Sequence, residues 1–179
     1  MIVEALPKRI VRYPDPRLRR KCEPVEVFDE SLAALVQRML DLMKQGNGIG
    51  LAGPQVGVCR RLFVCNPTGE PGDDHVYVNP ELSDLIGRVE VQEGCLSLPE
   101  VEVTMRRARR CRMRAFDVAG QPIEAETEDL LARIWQHETD HLDGGLIIDR
   151  MNGTDKIANK KVLAQLEADY HKSTKKPAR

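Results

Sequence analysis

Between Asp29 and Gly46 the apolar residues Leu32, Leu35, Val36, Met39, Leu40 and Met43 recur at three- and four-residue steps, the stripe of an amphipathic helix. Asp29 suits its N-cap and Gly46 its stop. From residue 58 to about 117 the period shortens. Short runs at Leu62 to Cys65, Val76 to Val78, Val89 to Val91, Val101 to Met105 and Arg110 to Phe116 read as strands, broken by Asn66-Pro67, Pro71-Gly72 and Ala119-Gly120. A helical pattern returns from Glu128 to Leu142, with Thr127 as its expected cap, Glu128 and Asp129 at its positive end, and Gly144-Gly145 as its stop. A third helix is expected from Thr154 to Tyr170, with Val162, Leu163, Leu166 and Tyr170 inward. This order predicts an α+β fold: mainly antiparallel sheets around a central helix, with an N-terminal and a C-terminal helix.

Composition narrows the class. A chain of 179 residues, 41% hydrophobic and 31% charged, suits one domain, expected over residues 1–171 with a frayed basic tail at 172–179. A net charge of −1 gives no case for DNA binding. No apolar run is long enough to span a membrane, and the charged, proline-containing start lacks a signal peptide's apolar core. Five cysteines without a C-x-x-C pair fit reduced thiols, so a cytoplasmic protein is expected. Arginines crowd the segment from Arg106 to Arg114, where a weak ribosome contact is one expectation and a solvated face the other.

Candidate chemistry sits on the second helix. His137-Glu138-Thr139-Asp140-His141 spells H-E-x-x-H. Residues four apart lie on one helix face, so two imidazoles can meet one metal ion. Glu138, turned about 100° from His137, stands beside the metal, where it can reach a water molecule. A catalytic site usually takes a third protein ligand. The metzincin continuation fails, because Ile147 stands where its third histidine belongs. Glu167 is the candidate for a zincin-type metallopeptidase, the alternative function. Cys95, in the Gly- and Pro-containing stretch Glu93-Gly94-Cys95-Leu96-Ser97-Leu98-Pro99, offers a thiolate suited to a borderline ion. Cys22, Cys59, Cys65 and Cys111 lie in plain extended contexts and are expected to be small buried hydrophobes.

Gly48-Ile49-Gly50-Leu51-Ala52-Gly53 matches G-x-G-x-x-G, but a helix precedes it and a strand-like segment follows, so no nucleotide cofactor is expected. Glycines here let another backbone approach, and an extended peptide can pair with Gly48 to Gly50 like an added strand.

Three segments, GIGLAGPQVG (48–57), EGCLSLP (93–99) and QHETDHLDG (136–144), together resemble the motifs of the peptide deformylases, in order and in spacing. The resemblance implies that Cys95, His137 and His141 hold one divalent ion with water in the fourth place. Fe2+ is implied as the native ion, with Ni2+, Co2+ or Zn2+ able to substitute. It implies a hydrolase that removes the formyl group from the N-terminal formyl-methionine of nascent peptides. Glu138 is then the general base and acid, while Gln55 and the Leu96 N–H stabilise the oxyanion. Gly50 belongs to the same catalytic set. Gly48, Ile49, Glu93, Gly94, Leu130 and Ile134 would bind substrate, with Ile49, Leu130, Ile134 and His137 around the methionine side chain. The matching family pair implies an ion pair between Glu93 and Arg107. Two positions depart from the family pattern: Gly53 replaces a usual alanine, and Glu102 stands where bacterial relatives often have arginine.

Overall fold

The structure, a computed structural model, describes residues 5–174. Helix α1 covers Glu30–Gln45. The Asp29 carboxylate accepts the Ser31 and Leu32 N–H groups at its start, and the Gly46 N–H donates to the Leu42 carbonyl at its end. Seven strands follow: β1 (Gly50–Ala52), β2 (Leu62–Cys65), β3 (His75–Ile86), β4 (Val89–Cys95), β5 (Leu98–Arg107), β6 (Arg110–Phe116) and β7 (Pro122–Glu128). Helix α2 covers Asp129–Leu142 and α3 covers Gly153–Thr174. Short 3-10 turns lie at Gly53–Val56 and Ile147–Arg150.

All pairings between these strands are antiparallel, in a five-stranded sheet ordered β1-β2-β3-β6-β7 and a hairpin of β4 with β5. The large sheet is covered on both faces. Leu62 and Val64 pack with the α1 stripe, while Phe63 and Cys65 pack with Ala132, Ile134 and Trp135 of α2. Double burial explains why β2 is a continuous apolar run rather than an alternation. A third cluster joins Leu98, Val101, Val103 and Met105 of β5 to Leu146 and Ile147. The fold is α+β with an N-terminal and a C-terminal helix.

Two strands were not expected from the sequence. β1 has three residues set among glycines, and β7 reads Pro-Ile-Glu-Ala-Glu-Thr-Glu, with no large side chain fully buried. Thr127 does not cap α2: it lies in β7 opposite Cys111, and Glu128 takes the cap position without a side-chain cap bond. The chain turns from strand to helix at Asp129, whose φ of 56° is a left-handed conformation that aspartate tolerates.

α3 runs to Thr174, so Lys172 to Thr174 of the expected tail are helical, and 175–179 lie outside the described residues. Its buried residues are polar. Asp155 accepts from the Thr104 N–H at 3.2 Å, and Asn159 bonds the Glu102 N–H and carbonyl at 3.3 and 2.8 Å. These side chains serve the open edge of β5 as a neighbouring strand would.

The arginine-rich segment is matched by acids. Arg110, Arg112 and Arg114 face Glu124 and Glu126 of β7, Arg112 also reaches Asp84, and Arg109 pairs with Asp129.

Candidate metal centre and its cleft

The fold brings the three motifs together. α2 presents His137 and His141 one turn apart, their ring centroids 5.0 Å from each other. Cys95 comes from the end of β4, where the register with β5 slips between Glu93 and Cys95. Such an irregularity re-aims a side chain next to a site. The Sγ of Cys95 lies 3.3 Å from Nε2 of His141, and one donor atom from each of Cys95, His137 and His141 lies within 4.8 Å of the others. Among the described residues no other cluster of three such groups meets that geometry. Glu167 is not at this centre. Its exposed carboxylate accepts the Tyr13 hydroxyl at 2.8 Å, which removes the zincin alternative.

The donor set suits a divalent ion of borderline softness: one sulfur and two imidazoles. Nδ1 of His137 bonds the Glu93 carboxylate at 2.9 Å, which leaves Nε2 for the ion. Burial holds His141 well below the usual imidazole range, in the neutral form a ligand requires.

Glu93 ties the centre to the hairpin. Arg107, with 1% of its side chain exposed, donates to both oxygens of Glu93 at 2.9 and 2.8 Å and to Asp140 at 2.6 Å. Arg150 joins Asp140 from the other side at 2.9 Å. Burial alone would raise Glu93, but the bonds from Arg107 and His137 outweigh it and hold the carboxyl at about 2.

Glu138 is treated oppositely. It is 4% exposed, its Oε2 has no hydrogen-bond partner among the described residues, and burial pushes its carboxyl up to about 7. A Cβ on Gly50 would run into this carboxylate, and one on Gly48 would run into the Leu96 side chain. The two glycines therefore keep β1 close against the centre. Gln55, in the turn after β1, is 1% exposed. Its Oε1 accepts the Ala52 N–H at 2.8 Å, which turns Nε2 toward the Cys95 sulfur at 3.4 Å and the Ser97 hydroxyl at 3.2 Å.

Around these groups is a cavity of about 450 Å³. Its lining includes Gly48, Ile49, Gly50, Gln55, Glu93, Gly94, Cys95, Leu96, Leu130, Ile134, His137 and Glu138, so the sequence-derived site residues that line it come from all three motifs and from α2. Asn47, Gln92 and Arg133 also line it and were not foreseen. Arg133 stands four residues before His137, a spacing that could have found it. Ser97 and Asp140 are reached only through tertiary contacts. Glu102 does not line the cavity. The other cysteines are apart from it: Cys22, Cys65 and Cys111 are buried, Cys59 is half-buried, and burial raises Cys22 to about 12 and Cys111 to about 11.

Residues 7–157 match the family described as polypeptide deformylase. The chain belongs to that family. It is 41% identical over 177 residues to peptide deformylase 1B, chloroplastic/mitochondrial, of Arabidopsis thaliana, covering 96% of this chain and 64% of that protein. The chain thus spans under two thirds of that relative's length. A peptide deformylase of Thermotoga maritima is 39% identical over 159 residues, 88% of this chain and 95% of that one. Among solved structures, a plant peptide deformylase of the 1B form superposes with a TM-score of 0.93 at 39% identity, covering 99% of this chain and 98% of that one. A Plasmodium falciparum peptide deformylase gives 0.90 at 35% identity, covering 94% and 99%. One of these deformylases carries an organellar name, and no helix of the described residues is long and apolar enough to cross a membrane.

Proposed function

We propose that this deformylase-family chain is a hydrolase that removes the formyl group from the N-terminal formyl-methionine of nascent peptides, releasing formate. The observation that carries this is the meeting, in one cleft, of a cysteine–histidine centre with a buried carboxylate that has no hydrogen-bond partner among the described residues. Cys95, His137 and His141 would hold one divalent ion, with Fe2+ native by family resemblance and Ni2+, Co2+ or Zn2+ as substitutes. When bound, such an ion lowers the pKa of water and polarises a carbonyl oxygen.

The remaining steps fall to this chain's own side chains. The peptide enters extended between two open strand edges, β1 on one side and β4 on the other. Its methionine side chain fills the space between Ile49, Leu130, Ile134 and His137, with Glu93 and Gly94 along the β4 side. Glu138 takes a proton from the attacking water as oxygen adds to the formyl carbon. Charge developing on the formyl oxygen is met by Nε2 of Gln55, whose amide is already oriented by Ala52, and by the N–H of Leu96. The C–N bond then breaks, formate leaves, and Glu138 returns the proton to the free amine. Burial of Glu138 favours its protonated form, which helps it keep the proton between the two transfers. The arginines from Arg106 to Arg114 add little to a ribosome contact, because their charge is offset by the acids of β7 and their other partners.

Formate release from a formyl-methionyl peptide by the metal-loaded protein tests this reaction. Glu138→Gln should keep its metal and lose turnover; near-normal deformylation by that variant would remove Glu138 from the assigned role.

A further inference from the structure

The cavity has one cation that the reaction does not use. Arg133 lines it from α2, in the same series as Leu130, Ile134, His137 and Glu138. Those positions recur at steps of three and one, the face of a helix that looks onto a single groove. Among the described residues Arg133 is the only arginine or lysine of the lining, and no carboxylate bonds it. Its counterparts are matched: Arg107 holds Glu93 and Asp140, Arg150 holds Asp140, and Arg109 holds Asp129. Glu93, the acid of the β4 side, is already taken by Arg107 and His137.

The spacing indicates what Arg133 meets. It stands between Leu130 and Ile134 in the chain, level with the methionine pocket on the helix face that lines the cavity. In an extended peptide, side chains two residues apart share a face and stand about 7 Å apart. With the methionine side chain seated among Ile49, Leu130, Ile134 and His137, the third residue's side chain is the next on that face, about 7 Å away, a span that a long, half-buried arginine side chain can cover. A guanidinium presents a planar fork that matches a carboxylate better than any other common peptide group.

Resting on the deformylase reading, we propose that Arg133 is a specificity-determining residue that selects peptides carrying a carboxylate at the third residue. The carboxylate can come from an aspartate or glutamate side chain or, in a short peptide, from the chain's own C-terminus; only the side chain is relevant to a nascent chain.

The test compares kcat/KM for formate release from formyl-Met-Ala-Asp-amide, its Asn counterpart and its Lys counterpart, at low salt. The terminal source is separated by formyl-Met-Ala-Ala as free acid and as amide. Wild type should prefer Asp over Asn by about five- to tenfold, the size of one partly exposed charge-assisted contact. The preference should shrink in 1 M salt, where the screening length falls to about 3 Å. The Asp/Asn ratio should fall to about one in Arg133→Gln, persist in part in Arg133→Lys, and give way to a preference for Lys in Arg133→Glu. An unchanged ratio in Arg133→Gln and Arg133→Glu overturns the assignment, as does a wild-type ratio of one. A preference confined to the free-acid peptide also overturns it. No formate from the neutral peptide defeats the deformylase reading itself, an outcome distinct from formate release without acid preference.

Discussion

The space that a Cβ on Gly50 would fill is occupied by the carboxylate of Glu138. A strand and a helix thus meet at the point where the proposed proton transfer occurs. Gly50→Ala should push that carboxylate aside without touching Cys95, His137 or His141. Displacements of about 1 Å at such a centre cost about a hundredfold in rate. The expected result is a fall in kcat of that order with full metal content, checked by formate release and metal analysis. Normal kcat in a metal-replete Gly50→Ala protein would show that the contact does not matter.

Removing the third ligand separates two metal sites. Cys95→Ala should lose most of its bound metal, while Glu167→Gln, which alters only an exposed bond to Tyr13, should keep it. Metal-to-protein ratios after dialysis check both. Loss from the Glu167 variant would revive the endopeptidase arrangement.

Arg107 is buried among two carboxylates, one of which orients His137. Arg107→Met leaves Glu93 without its arginine and Asp140 with Arg150 alone. The expected loss is about 3–5 kcal/mol in folding stability. Metal affinity should fall about 10–100-fold, because the partner of a ligand histidine is disturbed. Denaturant titration and competition with a chelator measure the two separately.

In the metal-free protein, Glu138 and Glu93 should shape stability in different pH windows. The folded pKa of Glu138, about 7, lies above its ordinary 4.5, because burial disfavours the charged form. Stability is therefore highest below 4.5 and is lost as pH rises toward 7, by about 3 kcal/mol. Glu93 is lowered to about 2, so its contribution is present above 4.5 and is lost as pH falls toward 2. Glu138→Gln should reduce the upper slope, to which His137 and His141 also contribute, and leave the lower one, as read by thermal melts from pH 3 to about 8.

Gly53 is required by packing here. A Cβ at this position would lie 2.6 Å from the Val58 carbonyl oxygen and 2.7 Å from that of Arg60. The alanine usual in the family would force this segment apart, so the glycine tightens the loop after Gln55 rather than loosening it. Gly53→Ala should destabilise by about 1–3 kcal/mol, measured by denaturant unfolding. A neutral result would mean that residues 58–60 move freely.

The helices were legible because a helix face is written in neighbours three and four residues apart. The α1 stripe and both its ends follow from Asp29, Gly46 and the apolar residues between them. His137 and His141 share a face for the same reason. β1 was not legible, because a strand of three residues is defined by its partners, whereas β7 alternates Ile123, Ala125 and Thr127 with glutamates, a weak signal because these side chains are small and only half-buried. α3 is marked in the sequence by a short run of apolar residues, but over its full length it has almost no apolar stripe, and its docking depends on Asp155 and Asn159 meeting the backbone of β5.

By itself, then, the sequence determined which residue types stand one helical turn apart and which three motifs occur together. That is enough for two candidate metal ligands, a candidate base beside them and a family resemblance. Tertiary structure decided the rest. It brought Cys95 to 3.3 Å from His141 across 46 positions, matched Arg107 to both Glu93 and Asp140, and left Arg133 in the cleft without an ion pair among the described residues. The physical reason is range. Helical geometry fixes neighbours four residues apart, whereas contacts across 14, 33 or 46 positions depend on strand register and packing that no local pattern specifies.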